Sequence, residues 1–339
     1  MALSALLPRS ARGDTRAIPL WVAPAPSPQA TAWPGVPART EWEAGRDALH
    51  WLRGRLRHLG PARRRILALA DGPYAVAPLL RTLPPDTTLL ARCAKNRALF
   101  ALPPVIPYPV RGRPLRYGAH GPTPQAQLHA RAGWRTTTVR IRGRQIPLRY
   151  RVSGPWVVRT AAHHPVYLLV VKGVARTRHG RPVRRDPTSW MVTAHRRGTR
   201  WEPPFTPPRL LAWAGQRWEV EVMHRELKSG LGCGAQQASA PQSAVTTLQG
   251  VAWIYGVLML AGYQTWGWAP HARTTAWAHP GRRGTVRDVL TAIRQEIWTE
   301  VPPALSAVCT VLPGDVPNNP DWMLPPAALP AVVTYTRRI

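Results

Sequence analysis

Acidic side chains are scarce in this chain, which has 16 Asp and Glu against 46 Lys and Arg in 339 residues and a formal charge of +30. Such a charge favours a polyanionic partner, with nucleic acid as the first candidate, but carries no information on sequence specificity. Lysine is almost absent as well. Arginine therefore supplies nearly all of the positive charge, and the only lysines are Lys95, Lys172 and Lys228.

Cysteines and long apolar runs are also few. Cys93, Cys233 and Cys309 are far apart and lack metal-site spacing, which excludes a disulfide framework and indicates a reducing compartment. The opening residues contain no secretory signal, and the most apolar stretch, residues 251–262, is shorter than a bilayer requires and predicts a buried helix. The sequence therefore predicts a soluble, cytoplasmic (nucleoid-associated) protein with no membrane partner.

Residues 209–231 carry the most informative pattern in the sequence, that of an amphipathic helix. At 3.6 residues per turn, one side of this predicted helix is apolar and can pack on a core. The neighbouring side carries Arg217, Glu221, His224 and Lys228, so that one acid lies among three basic groups. An ordinary solvated helix with i,i+4 salt bridges remains the alternative for this pattern.

The spacing of three of these residues is more specific than a mixed charge pattern. Arg217, three residues, Glu221, six residues and Lys228 resemble the Tyr-Arg-Glu-Lys signature of insertion-sequence transposases in the DDE superfamily. The resemblance implies that Glu221 binds metal and that Arg217 and Lys228 face DNA. His224 could also bind phosphate, although a capping or packing role explains it equally well. Ala214 stands where the signature has its tyrosine, so that part of the motif is absent.

A second candidate carboxylate, Asp71, follows the apolar run Ile66–Ala70. The pattern is typical of a strand buried on both faces, which would place Asp71 at the carboxyl edge of an α/β sheet. A turn aspartate before glycine is the alternative. The sequence Asp-Gly-Pro-Tyr at 71–74 resembles the strand end that bears the second catalytic aspartate in the same transposases. The segment that follows, through Arg97, resembles their next strand and basic segment.

The resemblance implies an α/β fold, a ribonuclease-H-like mixed sheet with flanking helices that is interrupted by a β-rich insertion. Residues 1–99 would form the N-terminal part of the core, 100–208 the insertion with its basic linker, and 209–265 the part of the core with the catalytic helix. Residues 266–339 would hold a linker, a short helix and a Pro-rich tail.

Local patterns within these regions predict individual elements. Strands are expected at 1–8 and 15–23, and a helix with a capping box at 40–59. Further strands between 136 and 193 are expected to form an antiparallel sheet or a small barrel. Alternation is expected to place one set of arginines on a single face of the insertion: Arg140, Arg142, Arg144, Arg149 and Arg151. A helix over 243–262 is expected to bury Trp253, Ile254, Val257, Leu258 and Leu260.

Transposases of this type cleave phosphodiester bonds with two Mg²⁺ ions held by carboxylates, two of which would here be Asp71 and Glu221. A third acid is expected on the first strand of the fold. Asp14 is the only acid before Glu41, and it precedes what would be the third strand. We therefore expect the chain to start inside the transposase fold, without the first catalytic aspartate; Asp14 as a substitute is the alternative.

The resemblance thus implies a DDE transposase or a remnant of one, which binds DNA (element ends and target) and acts by Mg²⁺-dependent cleavage and strand transfer. It also permits a homodimer in a synaptic complex. Because the first aspartate is missing, the sequence leaves catalysis open. The alternative function is a non-catalytic, basic nucleic-acid-binding protein derived from a transposase.

Overall fold

The computed structural model describes residues 2–8, 15–23, 38–59, 64–104, 115–141, 144–172, 175–178, 181–184, 187–235, 237, 240–266 and 285–300. The strands in these ranges are β1 (Ala2–Pro8), β2 (Thr15–Val22), β3 (Ile66–Ala70), β4 (Thr87–Arg92), β5 (Phe100–Ala101), β6 (Arg135–Ile141), β7 (Arg144–Val158), β8 (Ala161–Lys172), β9 (Ala175–Arg178), β10 (Arg181–Arg184), β11 (Thr188–Thr193), β12 (His195–Arg197) and β13 (Arg200–Glu202). The helices are α1 (Glu41–His58), α2 (Ala77–Arg81), α3 (Pro124–His129), α4 (Pro207–Gln216), α5 (Trp218–Leu231), α6 (Pro241–Trp266) and α7 (Val286–Glu300).

Helix α1 begins at the predicted capping box. The backbone N–H of Thr40 donates to the Glu43 carboxylate at 2.8 Å, and the Thr40 hydroxyl donates to the same oxygen at 2.6 Å. The first bond satisfies a backbone donor that a helix start otherwise leaves unpaired, and the second joins the two side chains. Further along, the buried Arg53 donates to the backbone carbonyls of Arg64 and Asp86, at 2.7 and 3.1 Å. These bonds tie α1 to the segments that lead into β3 and β4.

A seven-stranded mixed sheet forms the centre of the fold. Its order is β3-β4-β11-β8-β7-β5, and β6 pairs with β7. Strands β3 and β4 are parallel, as expected for strands joined through a helix, whereas the other neighbours are antiparallel. The predicted mixed α/β architecture is confirmed at this level, and the strands predicted for the insertion continue the same sheet as β3 and β4.

Two details of the sheet differ from the sequence-based expectations. Strand β3 is mostly half-buried rather than buried on both faces, because it is an edge strand with β4 as its only described neighbour. Strands β1 and β2 pair with each other in a separate two-stranded sheet. The ribonuclease-H-like strand order therefore remains a proposal.

Each face of the central sheet carries its own apolar core. On one face, side chains from α2 and α3 pack with Leu89, Leu168 and Val170. On the other face, α4 packs with Val139 of β6 and Leu169 of β8. The contact between α4 and β6 is close, since a Cβ placed on Gly215 would meet the side chain of Ile141. Glycine at this position lets the helix backbone approach the sheet.

The predicted continuous helix over 209–231 is interrupted at one residue. Helix α4 ends at Gln216 and α5 begins at Trp218, with Arg217 between them. The backbone N–H of Val220 donates to the carbonyl of Arg217 at 3.1 Å, an i→i+3 bond that tightens the first turn of α5. Arg217 is therefore the joint between the two helices.

Helix α6 contradicts the predicted burial of its large side chains. Trp253 is 70 % exposed, and Ile254, Val257 and Leu260 are also exposed. The opposite stripe of the helix is the buried one, and it contains Ala252, Tyr255, Gly256, Met259 and Gly262. The error arises because α6 is apolar on every side, so hydrophobicity alone does not show which face packs.

The length of α6 also exceeds the apolar stretch identified from the sequence. By length and composition its residues Gln242–Gln264 could cross a bilayer, a property shared by core helices of soluble proteins. The absence of a membrane partner and the cytoplasmic location remain predictions.

By their contacts, the residues fall into two compact units. The first contains Met1–Met223 and Gln237–Gln249, and the second contains His224–Gln236 and Gly250–Ile339. Within the second unit, the Tyr255 hydroxyl of α6 donates to the Glu226 carboxylate of α5 at 2.8 Å. The predicted domain boundaries at 99, 208 and 265 are a separate division of the chain and stay a prediction.

Candidate functional site

Asp71 lies at the carboxyl end of β3, as the sequence predicts. A single 3₁₀ turn over Gly72–Tyr74 follows, in which the backbone N–H of Tyr74 donates to the Asp71 carbonyl at 3.1 Å. The Asp71 backbone is extended, and its carboxylate does not make the cap bond that a helix-start aspartate often makes. Its side chain is 45 % exposed. The group is therefore held at a strand end and remains open to solvent.

Arg217 brings Asp71 and Glu221 together. Its guanidinium Nη1 lies 3.7 Å from Asp71 Oδ2, and its Nη2 donates to Glu221 Oε1 at 2.9 Å. The Glu221 contact is the i,i+4 pair that an ordinary surface helix would also form. The Asp71 contact is different, because it joins residues 146 positions apart on separate elements. We name Asp71, Arg217 and Glu221 the carboxylate cluster.

The three side chains of the carboxylate cluster differ in their exposure to solvent. The Arg217 side chain is only 17 % exposed, whereas the two carboxylates are 45 % and 38 % exposed. A guanidinium presents several donors in a fixed plane, so one arginine can serve two carboxylates at once. Two negative charges held around one positive charge leave a net charge of −1 on the surface of a very basic protein.

Tyr74 and Glu41 lie near this cluster. Burial raises the pKa of the Tyr74 hydroxyl above its usual value of 10, and the negative charges of Glu41 and Asp71 raise it further. Glu41 therefore acts electrostatically on the same hydroxyl as Asp71. Glu41 is in the first turn of α1, and no sequence spacing links residue 41 to residue 71.

The ligand types of the cluster fit a hard divalent cation, because Mg²⁺ prefers carboxylate oxygens and usually keeps several waters. The number of ligands is smaller than a two-metal site needs. Among the described residues, no group of three His, Cys, Asp or Glu side chains is placed to hold a metal ion. Asp14, the alternative third acid, lies outside the described residues. The cluster by itself therefore fits one partly hydrated cation rather than two.

His224 and Lys228 lie on α5, three and seven residues after Glu221, so they share its side of the helix. Both side chains are exposed. They belong to the second compact unit, whereas Asp71, Arg217 and Glu221 belong to the first. The structure thus brings together three of the five predicted site residues, and the DNA-binding roles of His224 and Lys228 stay predictions.

Two neighbouring positions clarify the sequence motif. Ala214, which stands at the tyrosine position of the signature, is buried at 6 % exposure and packs in the core beneath α4. Trp213 packs edge-on against Phe205, and its ring lies 4.7 Å from the Arg209 guanidinium.

Glu219 is a further acid of α5, which the sequence did not indicate as a site residue, and it is buried at 1 % exposure. Two residues before Glu221, it lies on a different side of α5.

No family model matches this chain, and no curated protein matches it either, so the geometry of the cluster is what carries a functional conclusion.

Proposed function

We propose that this protein is a DDE-type transposase, or a remnant of one, that binds DNA and uses a divalent cation at the carboxylate cluster to cleave phosphodiester bonds. One observation carries the proposal: Asp71 and Glu221, 150 positions apart, contact the same guanidinium. An ordinary helical salt bridge requires only Glu221. The additional approach of a strand-end carboxylate is the arrangement that metal-dependent nucleases use.

Each residue of the cluster has a separate part in the proposed chemistry. Bound Mg²⁺ would lower the pKa of an attacking water or hydroxyl and neutralise charge on the scissile phosphate. Asp71 and Glu221 would hold the cation from two different elements. Arg217 occupies the space between them, so its guanidinium must turn away before one ion can contact both carboxylates. Once turned, it can donate two parallel hydrogen bonds to a phosphate oxygen pair.

The proposal is tested by nicking of supercoiled plasmid in Mg²⁺. We expect wild-type protein to nick, and Asp71→Asn and Glu221→Gln each to reduce the rate by about 10³-fold or more, because both remove a ligand charge at the reacting phosphate. Asp47→Asn is the matched control, since Asp47 is a half-exposed acid of α1 that is likewise paired with arginine. Equal nicking by wild type and by the two cluster variants would overturn the proposal.

The alternative function is nucleic-acid binding without cleavage. It is favoured by the small number of acids that the structure brings together among the described residues and by the +30 formal charge. Binding of this kind needs no Mg²⁺, weakens steeply with salt and survives Glu221→Gln. Salt-sensitive binding by a wild-type protein that does not nick under any Mg²⁺ or Mn²⁺ condition would decide for this alternative.

A further inference from the structure

The span from Thr87 to Arg185 contains no acidic residue, whereas it contains 20 Arg and Lys. A span with such a one-sided charge has no acidic neighbours of its own with which to neutralise these cations. Most of the central sheet is built from it, including β4, β5, β6, β7 and β8. Some of these cations lie close together in the folded structure.

Four residues of this span gather into one cluster, which we name the cation clamp: Trp134, Arg149, Arg151 and Lys172. The Lys172 ammonium lies 4.8 Å from the centre of the Trp134 ring, and the Arg149 guanidinium carbon lies 5.8 Å from it. Arg149 and Lys172 are directly opposite each other across β7 and β8. Arg151 is on the same side of β7 two residues further along, and its guanidinium packs against Gly133.

Trp134 is held firmly enough to orient these cations. Its indole N–H donates to the carbonyl of Ala130 at 2.8 Å. Its ring packs on the apolar core between the sheet and helices α2 and α3. A cation over an indole is attracted to the ring by about 0.5–1 kcal/mol at an exposed site, although the aromatic leaves its charge uncompensated. The ion pairs of the described residues involve none of the three cations of the clamp. Within the described part of the chain, the clamp therefore presents three close positive charges that no ion pair neutralises.

Strand pairing places the clamp at the same edge of the sheet as Asp71. Arg92 at the end of β4 pairs with Trp190, Val171 pairs with Thr188, and Lys172 pairs with Arg149, so all of these lie at the carboxyl end of β3. Strands β8 and β7 are three and four positions from β3. Trp190 also pairs with Leu169, three residues before Lys172, so the clamp lies about 10 Å beyond the level of Asp71 along the strand direction. With about 4.8 Å per strand across the sheet, the clamp lies roughly 17–22 Å from Asp71.

We propose that the cation clamp is a binding site for the phosphodiester backbone of duplex DNA, separate from the carboxylate cluster. Phosphates along one strand follow each other at about 3.4 Å along the duplex axis, so 17–22 Å corresponds to roughly five to six base pairs. The clamp binds a backbone segment at that distance from the phosphate at Asp71. Binding by the clamp stands independently; only the spacing of about five to six base pairs rests on the proposed cleavage function.

The first test measures binding in EDTA, where no cleavage takes place. Fluorescence anisotropy with a labelled duplex gives the affinity of Arg149→Gln/Lys172→Gln over a range of salt concentrations. The matched control is Arg196→Gln/Arg200→Gln. It removes the same charge from the β12–β13 hairpin, where Arg196 lies 5.9 Å from the ring of Trp201. This hairpin leaves the sheet after Thr193, at the edge opposite to Asp71.

We expect the clamp variant to lose affinity and its plot of log affinity against log salt to become shallower by about 1.8, because each lost phosphate contact contributes about 0.9. The control should leave the slope within about 0.5 of wild type, since a distant pair contributes one weak contact at most. Equal changes in the two variants would overturn the proposal in favour of diffuse attraction. Equal inhibition by polyglutamate and by unlabelled duplex would overturn the preference for phosphate.

The second test locates the clamp on DNA by hydroxyl-radical footprinting of a nicked duplex. We expect protection roughly five to six base pairs from the nick, lost in Arg149→Gln/Lys172→Gln and kept in Arg196→Gln/Arg200→Gln. Protection that is unchanged in the clamp variant contradicts the proposed position. If wild type does not nick, the slope measurement still decides on the clamp, so failure of the clamp and failure of the cleavage function are distinguishable. Circular dichroism and urea unfolding confirm that both variants are folded.

Discussion

The carboxylate cluster and the cation clamp lie at the same edge of one sheet, but they differ in whether their charges are neutralised. In the cluster, Arg217 neutralises one of the two carboxylates that it contacts, so the site keeps a net charge of −1. In the clamp, Arg149 and Lys172 are held by Trp134, which orients them without neutralising them. The cluster must therefore exchange an internal partner for a ligand, whereas the clamp can bind an anion directly.

The two sites should therefore respond differently to salt and to divalent cations. Exchange at the cluster predicts sensitivity to removal of Arg217 and to divalent cations. Direct attraction at the clamp predicts strong dependence on salt and no requirement for a divalent cation. Four substitutions or conditions sharpen or break the comparison.

The largest expected effect concerns Cys93, which directly follows β4 and is buried in the apolar core against which Trp134 packs. Burial raises the pKa of its thiol from 9.0 to about 11, with Arg97 opposing the shift. Since the folded state keeps the proton that the unfolded chain loses, stability is complete below pH 9 and falls between pH 9 and about 11. The loss should be about 2–3 kcal/mol at the upper end.

Urea unfolding at pH 8 and pH 11 measures this loss, and Cys93→Ala should remove most of it while lowering stability at pH 8. Cys233→Ala, at a less buried thiol, is the control. A Cys93 thiol that reacts with iodoacetamide at pH 8 as fast as a free thiol would contradict the burial of this side chain in the core.

Removal of the internal cation of the cluster should have the next largest effect. We expect Arg217→Gln to bind Mn²⁺ about tenfold more tightly in the absence of DNA, because about 1.4 kcal/mol of competing attraction to the carboxylates is lost. Calorimetric titration measures the affinity. Arg46→Gln is the control, as Arg46 pairs with Asp47 at 2.8 Å on α1. Unchanged Mn²⁺ affinity in Arg217→Gln would mean that the carboxylates do not bind the cation.

The packing that positions Arg217 should respond to a single methyl group. Gly215→Ala inserts a Cβ against Ile141, so we expect the free energy of unfolding to fall by about 1 kcal/mol despite the better helix propensity of alanine. Gly54 of α1 has nothing within 4 Å of an added Cβ, and Gly54→Ala should instead stabilise by about 0.5–1 kcal/mol. Urea unfolding of both variants gives the two signs. The same sign in both would contradict the close contact of α4 with β6.

The smallest effect is expected from the aromatic part of the clamp. Trp134→Leu keeps all three cations but removes the ring that orients Arg149 and Lys172, so affinity for duplex DNA should fall about threefold, or about 0.6 kcal/mol. The slope against salt should remain within about 0.5 of wild type, because the number of charges is unchanged. Anisotropy titration measures both quantities. A slope as shallow as that of Arg149→Gln/Lys172→Gln would show that the ring supports the cations structurally rather than by orienting them.

Local sequence signals predicted the elements that depend on near neighbours. Thr40 and Glu43 are three residues apart, and the predicted capping box is present at the start of α1. The apolar run at 66–70 formed a strand that ends at Asp71. Alternating residues also placed Arg140, Arg149 and Arg151 on one face of the β6–β7 pair; Arg144 is on the other face, and Arg142 lies outside the described residues.

Other features depended on contacts that no local pattern contains. The interruption at Arg217 accompanies its contact with Asp71, 146 positions away, and helical periodicity contains no sign of it. The exposed stripe of α6 was mistaken for the buried one, because an apolar helix gives no preference between its faces. The edge position of β3 follows from strand order, which an apolar run does not encode.

Composition by itself determined the positive charge and the acid-free span, because these properties depend only on which residues occur and where they lie along the chain. The resemblance of two short sequence segments to a transposase signature named Asp71 and Glu221 as candidates. Tertiary structure decided that Asp71 and Glu221 share Arg217 and that Trp134 holds Arg149 and Lys172 at the same edge of the sheet. The reason is that electrostatic and packing energies depend on distance in space, and strand order, which local sequence does not specify, sets that distance.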